Sequence, residues 1–236
     1  MIRKLPLASI ILCTLFAPCT ALNHDAAIHS EVLRGEVWVE LEPIYGFIVD
    51  ESYPLDIQTA GRRALEEAAV YYSAMIYGWA FHYDIGERAR QIPEEFELKL
   101  TGLIPFADPG LKVTDIKKTE TQFRVWTDYN ITVAQQRRVL TWTQDSKLNI
   151  QGLGYSPLAG TGVSADWKSI KIAALEDAAR SALRAALRGS ERNRPKEVSG
   201  FISLTSFPRY FVSKGQWVCS ARFRVEIQEI IPFAAH

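Results

Sequence analysis

The chain has 236 residues, of which 47% are hydrophobic, and its 27 Lys and Arg residues balance 27 Asp and Glu residues. A chain of this length can form one large domain or two small ones, each with its own core. The balanced charge gives no field that would attract nucleic acid or an acidic membrane surface. We therefore predict no nucleic-acid partner.

The N-terminus has the pattern of an export signal. Two basic residues precede an apolar stretch, residues 5–16, and small residues follow up to Ala21. This stretch is shorter than the roughly 20 residues that a membrane-spanning helix needs. We predict that residues 1–21 are a signal peptide cleaved after Ala21, that the mature protein is periplasmic, and that it has no transmembrane segment.

The three cysteines bear on export and on disulfide formation. Cys13 and Cys19 lie in the signal segment, so the mature chain keeps Cys219 and forms no internal disulfide. An alternative interpretation makes Cys19 a lipidated N-terminus, although the preceding proline fits that processing poorly. Cys219 falls on the apolar side of an alternating segment, which favours a core residue over a nucleophile.

The first half of the mature chain predicts a strand, a helix and two more strands. Alternation predicts a strand over 35–49, and apolar residues at helical spacing predict a helix over 54–78. An insertion outside the core follows the helix, within 78–94. Strands are then predicted over 96–106 and 121–133.

The second half predicts the same order of elements. A linker over 134–146, partly extended, leads to a strand over 147–155. A helix follows, capped by Ser164 or Asp166 and stopped by Gly189. The last two strands are predicted over residues 198–207 and 216–227.

The two helices carry nearly the same hexapeptide, ALEEAA at 64–69 and ALEDAA at 174–179. Coincidence is one explanation, since such strings are common in helices. The matching order of elements favours a tandem duplication. We therefore predict an α+β fold of two tandem β-α-β-β units, 22–145 and 146–236, each an antiparallel sheet packed on one alanine-faced helix.

The residues for catalysis are few. His82 is a candidate ligand or base, but a partly buried, hydrogen-bonded histidine is the favoured interpretation. The glycine-rich segment 152–162 lacks the spacing of a nucleotide-binding loop, and we interpret it as a turn that allows close strand–helix packing. The sequence has no metal-ligand motif of recognisable spacing. We predict no enzymatic activity, no catalytic residue, no metal and no cofactor.

Four tryptophans are the candidate contact surface, because their positions do not follow the predicted core faces. The alternative is that they pack on the second face of a sheet. The four residues are Trp38, Trp126, Trp142 and Trp167.

The unit resembles two families of exported bacterial proteins. Its helix with A-L-E-[ED]-A-A, its strand with G-[LF]-I and its last strand ending VEIQEIIP are similar to the N-terminal domain of the flagellar assembly protein T family. The same unit is similar to dodecin-like envelope lipoproteins. Both resemblances imply a non-enzymatic envelope protein that acts by binding.

Two functions follow as expectations. The first is a periplasmic structural or assembly protein that contacts other envelope proteins, in association with the flagellar apparatus. The alternative is a carrier of a small apolar molecule or lipid, which needs an aromatic-lined cavity of several hundred Å³ between helix and sheet.

Overall fold

The computed structural model describes residues 32–42, 53–87, 91–143, 147–158, 167–190 and 195–232. The predicted signal peptide with Cys19, and the predicted helix caps Ser164 and Asp166, lie outside these ranges.

The described residues form nine strands and three helices in mixed order. They are β1 (Val32–Glu40), α1 (Ile57–Ile76), β2 (Trp79–Asp84), β3 (Glu95–Leu100), β4 (Leu111–Lys118), β5 (Gln122–Asn130), α2 (Val133–Thr141), β6 (Leu148–Tyr155), α3 (Trp167–Ser190), β7 (Pro195–Leu204), β8 (Arg209–Ser213) and β9 (Gln216–Pro232). The smaller sheet has the order β1-β5-β4, and the larger has the order β3-β2-β7-β9-β6, with β8 paired to β9. The named pairings are all antiparallel, which confirms the α+β class.

Helix α1 begins where the sequence predicts and packs on strands of both sheets. Asp56 caps it by accepting a hydrogen bond from the Thr59 N–H at 2.9 Å, which satisfies one of the free donors of the first turn. One face of the helix consists of small side chains and is fully buried; its residues are Ala60, Ala64 and Ala68. None of the described helices is both long and apolar enough to cross a membrane.

Helix α3 lies close against β6 because both surfaces are made of small residues. A Cβ at Gly154 would lie 2.0 Å from the Ala178 nitrogen, and a Cβ at Gly152 would lie 1.9 Å from the Ala178 oxygen. Ala174, Ala178 and Ala182 are buried at this contact. The segment 152–162 is predicted to be a turn, but residues 152–155 are part of strand β6, and the close strand–helix packing comes from the two glycines of that strand.

Three local predictions are wrong. The residues after α1 are not outside the core, because they form β2, whose Phe81 and Tyr83 are buried. The predicted linker forms α2, held by a capping box between Thr132 and Gln135, rather than an extended segment. The predicted strand 96–106 ends at Leu100, and a loop follows.

The larger sheet draws its strands from both predicted units. β2 and β3 come from the first half of the chain, and Trp79 of β2 pairs with Ile202 of β7 in the second half. The smaller sheet comes from the first half alone.

Candidate interaction surface

The loop over residues 101–110, which joins β3 to β4, presents two large apolar side chains to solvent. Leu103 is 66% exposed and Phe106 is 48% exposed, whereas Ile104 between them is 2% exposed. Large apolar residues of this exposure on one short loop are the kind of feature that protein interfaces use. We call residues 101–110 the apolar loop.

The apolar loop is fixed to the C-terminal end of α1. The Ser73 hydroxyl accepts a hydrogen bond from the Ile104 N–H at 2.8 Å, and the Thr101 hydroxyl donates to the Tyr77 carbonyl at 2.8 Å. Gly102 lies directly on the Tyr77 ring, where a Cβ would come within 2.6 Å of a ring carbon. The loop therefore holds its shape without a partner.

Its second half is closed by a turn. The Asp108 carboxylate accepts a hydrogen bond from the Gly110 N–H at 2.8 Å, and the Leu111 N–H donates to the Asp108 carbonyl at 3.0 Å. An aspartate that binds the backbone two residues ahead is a typical Asx turn. The turn leads the chain into β4.

Helix α2 is attached to the same end of α1. The Gln135 amide donates to the Tyr77 hydroxyl at 3.1 Å and to the Tyr129 hydroxyl at 3.0 Å. Val133 and Leu140 of this helix are exposed. Tyr77 thus supports two neighbouring elements that each expose apolar side chains.

Two of the predicted contact tryptophans are involved in packing. Trp142 is 3% exposed, and its indole N–H donates to the Ile76 carbonyl at 3.0 Å, so it offers a partner no surface. Trp38 is half-buried, and its ring lies 5.2 Å from that of Trp217.

The other two keep part of their rings exposed. Trp126 is half-buried on the face of β5 opposite Phe123, as the alternation predicts. Trp167 is also half-buried, and the guanidinium carbon of Arg63 lies 5.4 Å from its ring centroid. Because Trp142 is buried, the four tryptophans do not form one exposed surface, and a contact role for the other three stays a prediction.

A buried ion pair connects α1 to α3. The Lys171 ammonium donates to the Glu67 carboxylate at 2.9 Å and to the Trp38 carbonyl at 3.0 Å. The Tyr71 hydroxyl donates to the same carboxylate at 2.6 Å. The ammonium also lies within 4.9 to 5.5 Å of three ring centroids, those of Trp38, Tyr210 and Trp217.

Burial shifts the pKa values of two acidic groups in this cluster. Burial raises the pKa of Glu67, against the opposing effects of the Lys171 ammonium and the Tyr71 hydroxyl. Burial also raises the pKa of Tyr71 well above its ordinary value, and the Glu67 carboxylate adds to the shift. Both oxygens of the Glu67 carboxylate, the Trp38 carbonyl and three rings surround the ammonium, so Lys171 is held as a structural cation.

His82 is exposed on the outer face of β2, so the prediction of a partly buried histidine is wrong. Its imidazole lies 3.6 Å from the Asp84 carboxylate, and the ligand atoms of His82, Asp84 and Glu197 lie within 4.8 Å of one another. Lys196 contacts Glu197 at 2.5 Å. Exposed acidic groups of this kind are ordinary on a sheet surface, and we assign no metal to them.

Two depressions lined by described residues bear on the carrier hypothesis. A surface cleft of about 230 Å³ is bordered mainly by charged side chains near Asp84 and Glu197. A crevice of about 10 Å³ lies beside Lys171 between α1 and α3, which is room for about one water. Neither is the aromatic-lined cavity between helix and sheet that the carrier hypothesis requires.

Cys219 is fully buried in β9, where the alternation predicts a core residue. Burial raises the pKa of its thiol to about 12, so the thiolate form is absent at neutral pH. This environment suits packing and gives no activated nucleophile.

Comparison with known proteins identifies the family of this α+β chain. The chain belongs to an uncharacterised Treponema family, whose model matches residues 21–233. A protein of Treponema pallidum (strain Nichols), described as uncharacterized, is 25% identical over 227 residues, which are 91% of this chain and 92% of the relative. No solved structure matches.

The family match corrects the resemblance drawn from the motifs. The chain does not belong to the flagellar assembly protein T family or to the dodecin-like lipoproteins. The motifs do not distinguish these families, for a physical reason. The alanine spacing of α3 matches the glycines of β6, so it serves close helix–strand packing, which unrelated folds also need.

Proposed function

We propose that the protein is exported to the cell envelope and acts there, without enzymatic activity, by binding other envelope proteins through the apolar loop. The observation that carries the proposal is the exposure of Leu103 and Phe106 on a loop whose backbone is held by α1. The N-terminal signal pattern supports the periplasm as its location.

The fixed shape of the apolar loop favours binding. A flexible loop would lose conformational entropy when a partner orders it, whereas this loop is already ordered by Ser73 and Asp108. Burial of the exposed parts of one leucine and one phenylalanine would each contribute on the order of 1 kcal/mol. Residues of this kind, at the centre of a contact, are typical binding hot spots.

The experiment is site-specific photo-crosslinking in intact cells. A photo-reactive phenylalanine analogue replaces Leu103, and a second chain carries it at Ile116, which is 53% exposed on β4. The proposal expects a discrete crosslinked protein from position 103 and none from position 116. A third chain with the analogue at Trp126 tests the contact surface predicted from the sequence.

Substitution then tests whether the crosslinked contact matters. Leu103→Ser with Phe106→Ser should release the captured protein, whereas the matched surface change Ile116→Ser should retain it. Equal capture by both variants would refute the role of the apolar loop. Recovery of the protein in the cytoplasmic fraction after cell lysis would refute the export on which the proposal also rests.

We also infer that the two halves arose by tandem duplication. In each half, the strand before the long helix pairs antiparallel with the last strand, β1 with β5 and β6 with β9. The helix packs on both of these strands, α1 in the first half and α3 in the second. Superposition of the two strand–helix–strand sets in an experimental structure tests the idea, and unrelated helix positions would refute it.

A further inference from the structure

We propose that β3 pairs antiparallel with β3 of a second copy of this chain, about a two-fold axis that passes through Leu98. Among the described residues, β3 hydrogen-bonds to β2 on one side and leaves its other side open as an edge of the larger sheet. An open edge is a template for strand pairing. The pairing would join two larger sheets into one.

The β3 edge is regular, whereas the β4 edge is not. β3 stays in register with β2 from Glu95 to Leu100 without a shift. β4 has a register shift between Val113 and Asp115 and carries three lysines among its eight residues. Bulges and lysines are devices that prevent edge pairing, so β3, with one lysine and no bulge, is the less protected of these two edges.

The sequence of β3, EFELKL, complements itself when it runs antiparallel. With Leu98 opposite the partner's Leu98, Glu97 lies opposite the partner's Lys99, and the reverse pair forms by symmetry. Both charged residues are exposed on the outer face of the sheet. Opposite charges directly across an antiparallel pair stabilise it, and like charges destabilise it.

The inner face matches as well. Phe96, Leu98 and Leu100 are half-buried, so each keeps some apolar surface uncovered at the edge. In the same register Phe96 lies opposite the partner's Leu100, and the two Leu98 side chains meet on the axis. The partner strand would cover the surface that β3 leaves exposed.

Neighbouring registers fail for definite reasons. An axis through Glu97 pairs Glu95 with Lys99 but places two glutamates opposite each other and the apolar Leu100 opposite Glu94. An axis through Lys99 places two lysines opposite each other. An axis that passes between two residues would pair a residue of the outer face with one of the inner face, which the alternation of side chains forbids. The register centred on Leu98 is therefore favoured on both faces.

The test uses charge exchange on the full purified chain, with molar mass measured by analytical ultracentrifugation at low salt. Wild type should be a dimer at high micromolar concentration. Lys99→Glu alone and Glu97→Lys alone each place like charges across both pairs, so each should weaken dimerisation by about tenfold or more. The exchanged variant Glu97→Lys/Lys99→Glu should dimerise like wild type.

The most discriminating measurement uses a mixture of the two single variants. The Glu97→Lys chain and the Lys99→Glu chain should associate with each other, because opposite charges then face across both pairs. Lys117→Glu on the β4 edge is the matched control and should leave the mass of the dimer unchanged. Circular dichroism of every variant confirms that it is folded.

Three results would overturn the proposal. The first is a monomeric wild type under these conditions. The second is a dimer that either single variant leaves intact. The third is a mixture, or an exchanged variant, that stays monomeric although wild type dimerises. These results bear on β3 alone, so they leave the proposed role of the apolar loop unaffected.

Discussion

Replacement of Gly154 by alanine should destabilise the protein strongly. The new Cβ would lie 2.0 Å from the Ala178 nitrogen and 2.3 Å from the Ala174 oxygen, both of them backbone atoms of α3. Side-chain carbons do not approach backbone atoms this closely, so the helix must move away from β6 by about 1 Å. Overpacking of a core costs typically 1–3 kcal/mol, and a clash with rigid backbone belongs at the upper end, about 3 kcal/mol.

The assay is thermal unfolding followed by circular dichroism. For a chain of this size, 1 kcal/mol corresponds to roughly 2–4 °C, so Gly154→Ala should lower Tm by about 6–12 °C. Gly61→Ala is the matched control, because Gly61 lies inside α1 and its new Cβ would meet Phe123 at 3.9 Å, an ordinary contact. That change should raise stability by about 0.5–1 kcal/mol.

Equal melting temperatures for the Gly154→Ala and wild-type proteins would refute the reasoning, since α3 could not then lie where the distances place it. A fall in Tm for Gly61→Ala of the same size as for Gly154→Ala would also count against it. The effect would then belong to glycine substitution in general and not to the helix–strand contact.

Four further predictions concern the buried pair, the thiol and the cap of α2. Lys171→Met should cost about 3–5 kcal/mol in urea unfolding because it leaves the Glu67 carboxylate buried without its cation, and adding Glu67→Leu should recover part of that loss. In a chain whose other two cysteines are serine, Cys219 should resist a thiol reagent at pH 8 until the protein unfolds. Since the unfolded thiol ionises first, the free energy of unfolding should fall as pH rises from about 9 toward 12. Thr132→Ala should cost about 1 kcal/mol, measured by urea unfolding, because it removes the side-chain cap.

The predictions for the buried pair, for the labelling of the thiol and for the cap of α2 each have a contrary outcome. Additive losses for the single changes at Lys171 and Glu67 would show that the two side chains do not interact. Rapid labelling of Cys219 at the start of the reaction would show that β9 is open to solvent. For the cap of α2, an unchanged urea midpoint in Thr132→Ala would show that the helix end is not held by the threonine hydroxyl.

The long elements were predictable because their signals are local. The helical spacing of α1 and the strict alternation of β5 each reflect one buried face, and a face repeats at the period of its own element. Gly78 ends the first helix as expected, with φ of 75°, a conformation that glycine adopts without strain.

The sequence analysis assigned an element wrongly where its pairing strand is distant in the chain or where its sequence motif is short. β2 looks like part of an insertion because its neighbour β7 lies far along the chain. The apolar loop continued an apparent alternation, although Gly102 and Pro105 gave a signal that the strand ends. α2 is short, and its T-x-x-Q capping box spans the end of a predicted strand and the start of the predicted linker.

The buried pair had no signal of its own in the sequence. Glu67 and Lys171 sit in two helices and look like ordinary surface charges of an amphipathic pattern. Only the packing of α3 beside α1 brings the carboxylate and the ammonium together. Charge alone cannot reveal such a pair, since most charged helix residues are solvated.

The pairing of β2 with β7 has a consequence for the time course of synthesis. Trp79 cannot pair with Ile202 until the ribosome has added about 120 more residues. At a synthesis rate of 5–20 residues per second, this takes roughly 6–24 seconds. During this interval the apolar face of β2 has no strand beside it from the second half. A holding chaperone that covered this face during the interval would protect the growing chain from aggregation.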